Sequence, residues 1–575
     1  MSRTTKDATA SERLSSAGAM SSMSSGRGIV DATAHDAPSV RLHPVAGGGP
    51  LVRDYLAGLD LSTFYSGHFS DPAAYERKAA EVEGRLDAGR RALAGAAIEP
   101  MGDAAGRLER ILAGDGFFVT TGQQPALFGG PLYTLYKILG AIRLAEVLER
   151  RLERPVLALF WIGSDDHDWA EANHCIVLDA QKYPQRIEVQ ASPDDPALPL
   201  SGRRWGPGVT RAVEELCASL PDTVYADAVV EHVRTAYTPE RTVAESFAET
   251  LRYLLHDRRL AMVDAAHPAL RSAAAPVMRA DAERVLRNAD PVAIQTAKLE
   301  AAGYEAQVAV APDASNLMLH GKHGRDRIVR TGRGWTTRRE RNVLGESALL
   351  DMIGDEPGRF SPNVLLRPVV ESAVFPTLAY IAGPGEMSYF GQIGCLFTAH
   401  GILPPIVVPR PGVTLIDDKL RRLLGRLELD ADVFERPLRD VLADAVAADM
   451  PQEVKRALEA LRNALEAGYG QLTEAAESVD PTLRGPLTAA RNDALLGANA
   501  AEKLITAQLM RMNHVRIEQI RRAAAHIQPN DKPQERVFGP LPYVAVYGRG
   551  IIARIEAAID MEFDPVAAWT GPDCG

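Results

Sequence analysis

A chain of 575 residues is too long for one ordinary hydrophobic core, and its length predicts about three or four structural units. Its composition, 46% hydrophobic and 24% charged, is typical of a globular protein, and no run of about 20 uninterrupted apolar residues could span a bilayer. A net charge of −11 without a long Lys/Arg-rich run argues against nucleic-acid binding. We therefore expect a water-soluble protein with small-molecule partners and neither nucleic acid nor membrane as a partner.

Cysteine usage and the N-terminal composition indicate the compartment. Cys175, Cys217, Cys395 and Cys574 are widely scattered without a CxxC pair, so neither a disulfide framework nor a zinc site is predicted. The first forty residues are rich in Ser, Ala and Gly and lack the continuous apolar stretch of a secretory signal. We expect a disordered tail over residues 1–45 and a location in the reducing cytoplasm.

An α/β core is predicted to begin in residues 46–175. Phe117–Gly122 is a short apolar, β-branched run, and a long helical pattern follows from Leu132 to Glu153. Val156–Ile162 is a continuous apolar run, too short for a typical helix and suited to a strand buried on both faces. Together these segments predict a strand–helix–strand unit.

The second part of the core is predicted in residues 257–414, where Thr377–Gly383 precedes a helical stretch and then the apolar run Ile406–Val408. Two strand–helix–strand units imply a mostly parallel sheet with helices on its faces. Leu260–Asp264 and Glu305–Val310 are further strand candidates.

The remaining segments differ in character. Residues 176–256 have weaker periodicity and many Pro, Gly and charged residues, so we expect an insertion in the core. Residues 415–525 carry leucines at the three-and-four spacing of amphipathic helices, such as Leu420 and Leu424. Long helices folded back on each other cannot bury their whole apolar stripe alone, which predicts self-association. Residues 526–575 are expected to return to the core.

Ligands of such sheets bind beyond the carboxyl ends of the strands, and the first loop there is Gly122–Pro131. Its glycines allow close backbone approach, and the following helix N-terminus offers N–H groups to a phosphate or carboxylate. Gln123 and Gln124 could bind a polar substrate, and Lys137 could reach a phosphate. The alternative is a plain turn with a solvated lysine, since neither the dinucleotide fingerprint nor the P-loop pattern is present.

The second loop holds the densest cluster of titratable groups in the sequence. It contains Asp165, Asp166, His167 and Asp168, with Asn173 and His174 close behind. Neighbouring carboxylates raise each other's proton affinity and hold a histidine charged or oriented, which favours general acid/base chemistry. Alternatively, Asp165 or Asp166 only caps the next helix and His167 is merely hydrogen-bonded. A metal site is not expected, because consecutive side chains point in different directions and no HExxH spacing is present.

The third loop begins at Gly385 and Glu386. Glu386 either satisfies the helix dipole or faces the site with Tyr389 and binds an ammonium or a sugar hydroxyl. Upstream, Asn363 and Arg367 lie near a strand, and a guanidinium can hold a carboxylate bidentately, although a structural ion pair is equally compatible. No serine-hydrolase elbow, kinase signature or catalytic Cys/His pair is visible.

Several long segments follow one another in a recognisable order. They are Thr121–Gln124 through Gly130–Lys137, Phe160–Ile162 through Asp165–Asp168 to Asn173–His174, Ser361–Asn363 to Arg367–Pro368, Pro376–Tyr380 through Gly383–Glu386, and Gln534–Arg536. This series, spanning about Leu51 to Ile559, resembles the cysteine-adding BshC family of bacillithiol biosynthesis. The resemblance implies a Rossmann-like core related to class I aminoacyl-tRNA synthetases, a connective-peptide insertion, and a helical coiled-coil domain that forms a homodimer.

The resemblance also implies a reaction, in which a ligase joins cysteine to the amine of glucosaminyl malate and yields the low-molecular-weight thiol bacillithiol. An amide forms uphill from a free carboxylate in water, so the carboxyl must be activated, and ATP or another adenine nucleotide is the expected activator. The sequence lacks the HIGH and KMSKS signatures of the synthetases, which leaves the role of the nucleotide open.

Roles for the residues follow from that chemistry. The Asp165–Asp168 cluster is the candidate base for the amine, the Gly122–Pro131 loop would bind an anionic group, and Arg367 or Lys137 would neutralise carboxylate charge. The expected substrate-binding residues are Gly122, Gln123, Gln124, Tyr133, Lys137, Trp161, Asn173, His174, Asn363, Arg367, Gly385, Glu386, Tyr389 and Gln392. Two other readings remain: a non-catalytic nucleotide-binding dimeric scaffold, and a metal-dependent hydrolase that uses the Asp/His cluster.

Overall fold

The computed structural model describes most of the chain beyond the N-terminal segment. The described residues are 37–44, 47–179, 181–190, 197–286, 291–310, 314–322, 324–332, 334–339 and 343–563. Most of the tail predicted for residues 1–45 lies outside these ranges, although Ser39–His43 forms a strand. No helix among the described residues is both long and apolar enough to cross a membrane.

Fourteen strands occur in the described residues. They are β1 Ser39–His43, β2 Ile98–Met101, β3 Phe117–Gln123, β4 Val156–Ile162, β5 His174–Leu178, β6 Pro184–Glu188, β7 Leu260–Asp264, β8 Ala314–Gly321, β9 Gly324–Thr331, β10 Gly334–Thr337, β11 Phe360–Pro362, β12 Thr377–Ala382, β13 Ile406–Pro409 and β14 Gly412–Ile416. The central six-stranded sheet has the order β13-β12-β3-β4-β7-β2, and only the edge strand β2 is antiparallel to its neighbour. The prediction of a mostly parallel sheet is confirmed.

Twenty-one α-helices surround these strands in the described part of the chain. They are α1 Gly49–Leu56, α2 Pro72–Arg85, α3 Ala88–Gly95, α4 Ala105–Leu112, α5 Leu132–Leu152, α6 Trp169–Ala172, α7 Gly208–Ser219, α8 Ala226–Ala236, α9 Val243–Leu255, α10 Pro268–Leu286, α11 Pro291–Ala301, α12 Glu346–Asp355, α13 Arg367–Val374, α14 Pro384–Ala399, α15 Asp418–Leu427, α16 Leu438–Asp449, α17 Gln452–Glu477, α18 Arg484–Met512, α19 His514–Ile527, α20 Leu541–Tyr547 and α21 Gly550–Ala558.

The two predicted strand–helix–strand units are β3–α5–β4 and β12–α14–β13. All seven residues of β4 are buried, as a continuous apolar run requires when helices cover both faces of a parallel sheet. Helix α14 begins with proline in its first turn, and Glu386 at its third position accepts a hydrogen bond from the Gly383 N–H. These units place the ends of β3, β4, β12 and β13 at one edge of the sheet.

The prediction of a strand over Glu305–Val310 is wrong, because these residues form no strand. The side-chain amide of Gln392 accepts a hydrogen bond from the Val308 N–H (3.1 Å) and donates one to the Val308 carbonyl (2.7 Å). A side chain therefore satisfies backbone groups that a neighbouring strand would otherwise pair. Next along the chain is a small antiparallel sheet of order β10-β9-β8-β11, which the sequence did not predict.

The segments outside the core sheet have their own structure. The segment 176–256 contains most of β5 and all of β6, which pair as an antiparallel hairpin. The helices α7, α8 and α9 follow in the same segment. In residues 415–525, α15, α16 and α19 share a second hydrophobic cluster, and α17 and α18 pack together as a long helical hairpin. After α19 the chain returns to the core, where Gln534 pairs with the backbone of Leu415 (2.8 and 3.0 Å).

Candidate active site

A cavity of about 670 Å³ lies beyond the carboxyl ends of β3, β4, β12 and β13, and the β8–β9 hairpin contributes to its wall. Fourteen of the eighteen predicted site residues line it. They are Gly122, Gln123, Gln124, Tyr133, Lys137, Trp161, Asp165, Asp166, His167, Asn363, Arg367, Gly385, Glu386 and Tyr389. The position agrees with the rule that α/β sheets bind ligands at the carboxyl edge, and the volume is typical of small-molecule sites.

Three of the other four predicted residues hold local structure beside the cavity. The Asp168 carboxylate accepts the Glu171 N–H (3.1 Å) and caps α6, so the cap that the sequence considered for Asp165 or Asp166 is formed by Asp168 instead. Asn173 donates to the carbonyl of Val189 (3.1 Å), and the His174 ring contacts the Asn173 amide oxygen (3.3 Å). These contacts fix the start of the β5–β6 hairpin.

The fourth predicted residue outside the lining, Gln392, affects the cavity indirectly, through a residue that lines it. It is fully buried on α14 and holds the backbone of Val308, which is a lining residue. The same amide donates to the Thr296 hydroxyl (2.9 Å). Gln392 therefore positions part of the cavity wall.

Lys137 is a buried anchor, because acceptors of the protein surround its ammonium group. Its Nζ donates to the Gly122 carbonyl (2.6 Å) and more weakly to Gln123 Oε1 (3.4 Å), and it lies 2.7 Å from Glu386 Oε2. Burial lowers the pKa of Lys137, and Glu386 opposes that shift. An ammonium has three protons, so these contacts leave none for the phosphate or carboxylate that the sequence assigned to Lys137.

Glu386 satisfies the helix start, which was the first alternative from the sequence, and it also lines the cavity, where its binding of a substrate stays a prediction. Its Oε2 accepts the Gly383 N–H at the start of α14 (2.7 Å), while Oε1 accepts the Tyr380 hydroxyl (2.7 Å) at the cavity. Burial raises the pKa of Glu386 and Lys137 lowers it, and the net shift is downward. The carboxylate is thus ionised and tied to β12, α5 and α14 together.

Arg367 lines the cavity and belongs to a hydrogen-bond network of its own. Its guanidinium donates to Glu371 Oε2 (2.9 Å) and to the hydroxyls of Tyr380 (3.1 Å) and Tyr389 (3.3 Å). Burial raises the pKa of Glu371, and Arg367 opposes that rise. The structural ion pair considered from the sequence is therefore formed, although Arg367 still lines the cavity.

The Asp/His cluster divides between two environments. Asp165 forms a buried ion pair with Arg271 of α10, and burial raises the pKa of this carboxyl. Asp166 Oδ1 accepts the His167 N–H (2.7 Å) and lies 3.6 Å from His167 Nδ1, a buried atom without a hydrogen-bond partner. Burial raises the pKa of Asp166, while His167 and Arg325 lower it more. Asp165, Asp166 and His167 all line the cavity, and the acid/base role of the cluster stays a prediction.

Of the anion site and the plain turn that the sequence allowed at the start of α5, the anion site stays a prediction, with the first backbone amide already paired. The first amide of α5, from Leu132, donates to the Phe538 carbonyl (2.8 Å). Of the loop residues, Gly122, Gln123 and Gln124 line the cavity. Gly122 is required by close packing, since a Cβ there would lie 2.9 Å from the Trp161 carbonyl oxygen of β4.

Four arginines line the cavity without having been predicted: Arg325, Arg327, Arg410 and Arg536. Arg410 forms a buried ion pair with Glu535 (2.5 Å), and Arg325 lies 3.7 Å from Asp166. Arg327 and Arg536 form no ion pair within the described residues. Arg410 directly follows β13, where the strand-end rule could have found it. Nothing in the sequence signals the arginines of β9.

The described residues include no group of three or more His, Cys, Asp or Glu side chains placed to hold a metal ion. The absence of a metal therefore stays a prediction. The three described cysteines are free thiols, and burial raises the pKa of Cys175 to about 12, as expected for a small core residue.

A parallel-sheet core, a small-molecule cavity at its carboxyl edge and an appended helical hairpin define an α/β protein of the Rossmann-like class with a coiled-coil domain. Residues 40–411 match the family model described as "Bacillithiol biosynthesis BshC, N-terminal Rossmann-like domain", and residues 413–562 match "Bacillithiol biosynthesis BshC, C-terminal coiled-coil domain". The chain therefore belongs to the BshC family of bacillithiol biosynthesis. The predicted family and fold class are both confirmed.

Similar proteins come from diverse bacteria, and those described next share the name "Putative cysteine ligase BshC". The Salinibacter ruber protein is 30% identical over 88% of this chain and 94% of its own length. The Solibacter usitatus protein is 30% identical over 87% and 93%, and the Symbiobacterium thermophilum protein is 28% identical over 91% and 97%. The prediction of an enzyme of the ligase class agrees with these names.

Proposed function

We propose that this chain is a ligase that joins the carboxyl carbon of cysteine to the amine of glucosaminyl malate, forming bacillithiol. The observation that carries the proposal is a cavity with cationic groups at two ends and the Asp166–His167 pair in the same lining. Membership in the BshC family supports the pathway.

The first end, called the acceptor end, consists of Tyr133, Arg410 and Arg536. The guanidinium of Arg410 lies over the Tyr133 ring (5.4 Å from its centroid), and Arg536 also influences the pKa of Tyr133. Malate contributes two carboxylates, which need cationic partners. Arg536 has no counter-carboxylate in the described chain, so we place the malate group of the acceptor substrate here.

The second end, called the donor end, is formed by the β8–β9 hairpin and the segment after β11. Arg325 and Arg327 lie two residues apart on β9, and side chains two apart share one face of a strand. The donor end adjoins Asp166 after β4, whereas the acceptor end adjoins β13. Three interstrand steps separate these strands, which is about 14 Å at about 4.8 Å per step. That span accommodates two substrates side by side, with cysteine at the donor end.

The chemistry assigned to this chain is deprotonation and alignment of the amine. The amine nitrogen attacks the activated carbonyl carbon of cysteine, the C–N bond forms, and the bond to the leaving group breaks with its electron pair. The His167 imidazole accepts the proton that the nitrogen loses. Asp166, 3.6 Å from His167 Nδ1, stabilises the resulting imidazolium.

The activator of the carboxyl is a separate question. Two helix N-termini near the cavity are unsuited to a phosphate, because the Leu132 amide of α5 is taken by Phe538 and the start of α14 already holds the Glu386 carboxylate. These two helix starts therefore offer fewer free groups to the phosphates of an adenine nucleotide than an unoccupied helix N-terminus would. We therefore derive no step through ATP and treat its requirement as an arm of the experiment.

The test is to incubate the purified protein with glucosaminyl malate and cysteine, with and without ATP, and to detect bacillithiol by mass spectrometry. We expect product from the wild type and a loss of turnover of about 10²–10⁴-fold in His167→Ala with an unchanged melting temperature. The matched control is His174→Ala, a histidine of the same region outside the lining, which should retain turnover.

Two results would contradict the proposal at different levels. Full turnover of a folded variant that combines His167→Ala with Asp166→Asn would remove the base assignment and leave the ligase intact. Absence of product from the wild type under every condition would contradict the ligase itself. We also propose a cytoplasmic location and a homodimer formed through the α17–α18 hairpin, where several leucines are exposed.

A further inference from the structure

The lining of the cavity includes three aliphatic side chains, those of Val308, Met318 and Val364, which we call the apolar wall. Met318 on β8 and Val364 just after β11 belong to the donor end. Most other side chains of the lining are charged or polar, and the remaining apolar ones are those of Trp161, Pro362 and Pro384. Val364 keeps 45% of its side chain exposed although it belongs to a cavity. An aliphatic group held in that position gains free energy when a ligand removes it from water.

The wall is held in place by hydrogen bonds. Around Val364, the Asn363 side-chain oxygen accepts the N–H groups of Leu365 and Leu366 (3.0 Å each), and the Asn363 N–H donates to the Asn316 carbonyl (2.8 Å). These contacts tie the segment to β8, the strand that carries Met318. Exposure of Val364 is therefore a fixed feature of the fold.

Val308 is held by Gln392 of α14. The buried amide pairs with both backbone groups of Val308 and is itself oriented by the Thr296 hydroxyl (2.9 Å). A side-chain amide that accepts from the N–H and donates to the carbonyl of one residue in an otherwise irregular segment fixes that residue's position.

We infer that the wall of Val308, Met318 and Val364 receives the side chain of cysteine and selects the thiol over the hydroxyl of serine, an inference that rests on the proposed function. Glucosaminyl malate presents hydroxyls, carboxylates and an amine, all of which require polar partners. The thiol is a small, weakly hydrogen-bonding group that packs like a hydrophobe. Only the cysteine side chain matches an apolar wall.

Selection against serine follows from desolvation. A serine hydroxyl placed against this wall loses its water partners and finds no acceptor, which disfavours it in an apolar site. Pockets of this kind discriminate against an added hydroxyl by about 10²-fold. The apolar wall thus gives a reason why the site prefers cysteine to serine, which is nearly the same size.

The experiment is a competition between cysteine and serine at equal concentration, with the two amide products resolved by mass. Val364→Thr replaces a methyl by a hydroxyl at constant size, and we expect the cysteine-to-serine product ratio to fall about tenfold. Val308→Thr is a second variant with the same expected direction. The matched control is Val224→Thr, an exposed valine (60%) outside the cavity, which should leave the ratio unchanged.

The outcomes separate this inference from the proposed function. An unchanged ratio in folded Val364→Thr and Val308→Thr, with product still formed, overturns the apolar wall and leaves the ligase standing. If the wild type forms neither product, the proposed function fails, and calorimetric titration of cysteine and serine then decides. If the wild type binds cysteine more tightly than serine and Val364→Thr loses this preference, the inference is supported. If the wild type binds cysteine and serine with equal affinity, the inference is overturned.

Discussion

Helices α5 and α17 have comparable lengths and opposite surroundings. Fourteen of the 21 residues of α5 are buried, because the helix packs against β3 and β4. In α17 only Leu458 of 26 residues is buried, and its neighbour α18 likewise buries only Ala498. An amphipathic pattern therefore predicts a helix in both regions, whereas the layer packed against the helix decides how much of the pattern leaves water.

The same contrast applies to ion pairs. Arg410 and Glu535 join the C-terminal segment to the core, with side chains only 3% and 2% exposed. Arg462 and Glu502 join the two helices of the hairpin, with side chains 36% and 38% exposed. Water screens the Coulomb attraction between Arg462 and Glu502, so this pair adds little to the stability of the fold. Removing one charge of the buried Arg410–Glu535 pair leaves the other charge unpaired and destabilises the fold strongly.

The largest effect is expected from breaking the buried pair. Glu535→Gln leaves the Arg410 guanidinium buried without a counter-charge, and we expect the free energy of unfolding to fall by about 3–5 kcal/mol. Glu502→Gln, the matched change in the hairpin, should cost less than about 1 kcal/mol. Chemical denaturation of both variants measures the difference, and equal losses would refute the contrast.

A buried amide should likewise outweigh an exposed one. Gln392→Ala releases Val308, and we expect the KM for cysteine to rise about tenfold with a smaller change in kcat, since the loss is in positioning and an unsatisfied backbone group costs about 1–3 kcal/mol. Gln508→Ala on α18, where the amide contacts only Arg511, is the control. Unchanged steady-state kinetics in a folded Gln392→Ala variant would show that Val308 needs no such support.

The exposed stripe of the hairpin is expected to matter for assembly and not for the core. Leu496 and Leu504 on α18 are 64% and 73% exposed, which favours burial against a second copy of the chain. Replacing both by Glu should weaken dimerisation at least about tenfold and leave the melting temperature of the core unchanged. Light scattering after size exclusion measures the mass, with Leu59→Glu, an exposed leucine (51%) outside the hairpin, as control. A monomeric wild type would contradict the dimer.

The smallest effect concerns pH. Burial lowers the pKa of His232 to about 4, from 6.5 in an unfolded chain, and that of His320 to about 3. Between pH 6.5 and these values the unfolded chain binds protons that the folded chain does not. Stability is therefore fully present above about pH 6.5 and is lost as the pH falls.

His232 offers the direct test, because only 8% of this side chain is exposed. We expect the free energy of unfolding to drop by about 1–2 kcal/mol between pH 7 and pH 5 from this residue, and His232→Gln to reduce the slope. Urea titrations at several pH values measure it. An equal slope in the variant would mean that His232 is not neutral in the fold.

Local pattern alone determined much of this fold. The apolar run of β4, the 3.6-residue period of α5 and the turn signals before α14 predict their elements, because strand burial and helix periodicity are properties of neighbouring residues. Placing the loops Gly122–Gln124, Asp165–His167 and Gly385–Glu386 at one edge follows from parallel pairing, and fourteen predicted residues meet there.

Tertiary structure decided what each of those residues does. Asp165, Asp166 and Asp168 look alike in the sequence, but their roles differ in the fold. Asp165 pairs with Arg271, which is 106 residues further along the chain, and Asp168 caps the start of α6. The ammonium group of Lys137 is fully engaged by partners within the protein, and these include Glu386 on another helix. Ion pairs and side-chain hydrogen bonds depend on groups that are distant along the chain, and the energy of each depends on its burial, which no local pattern contains.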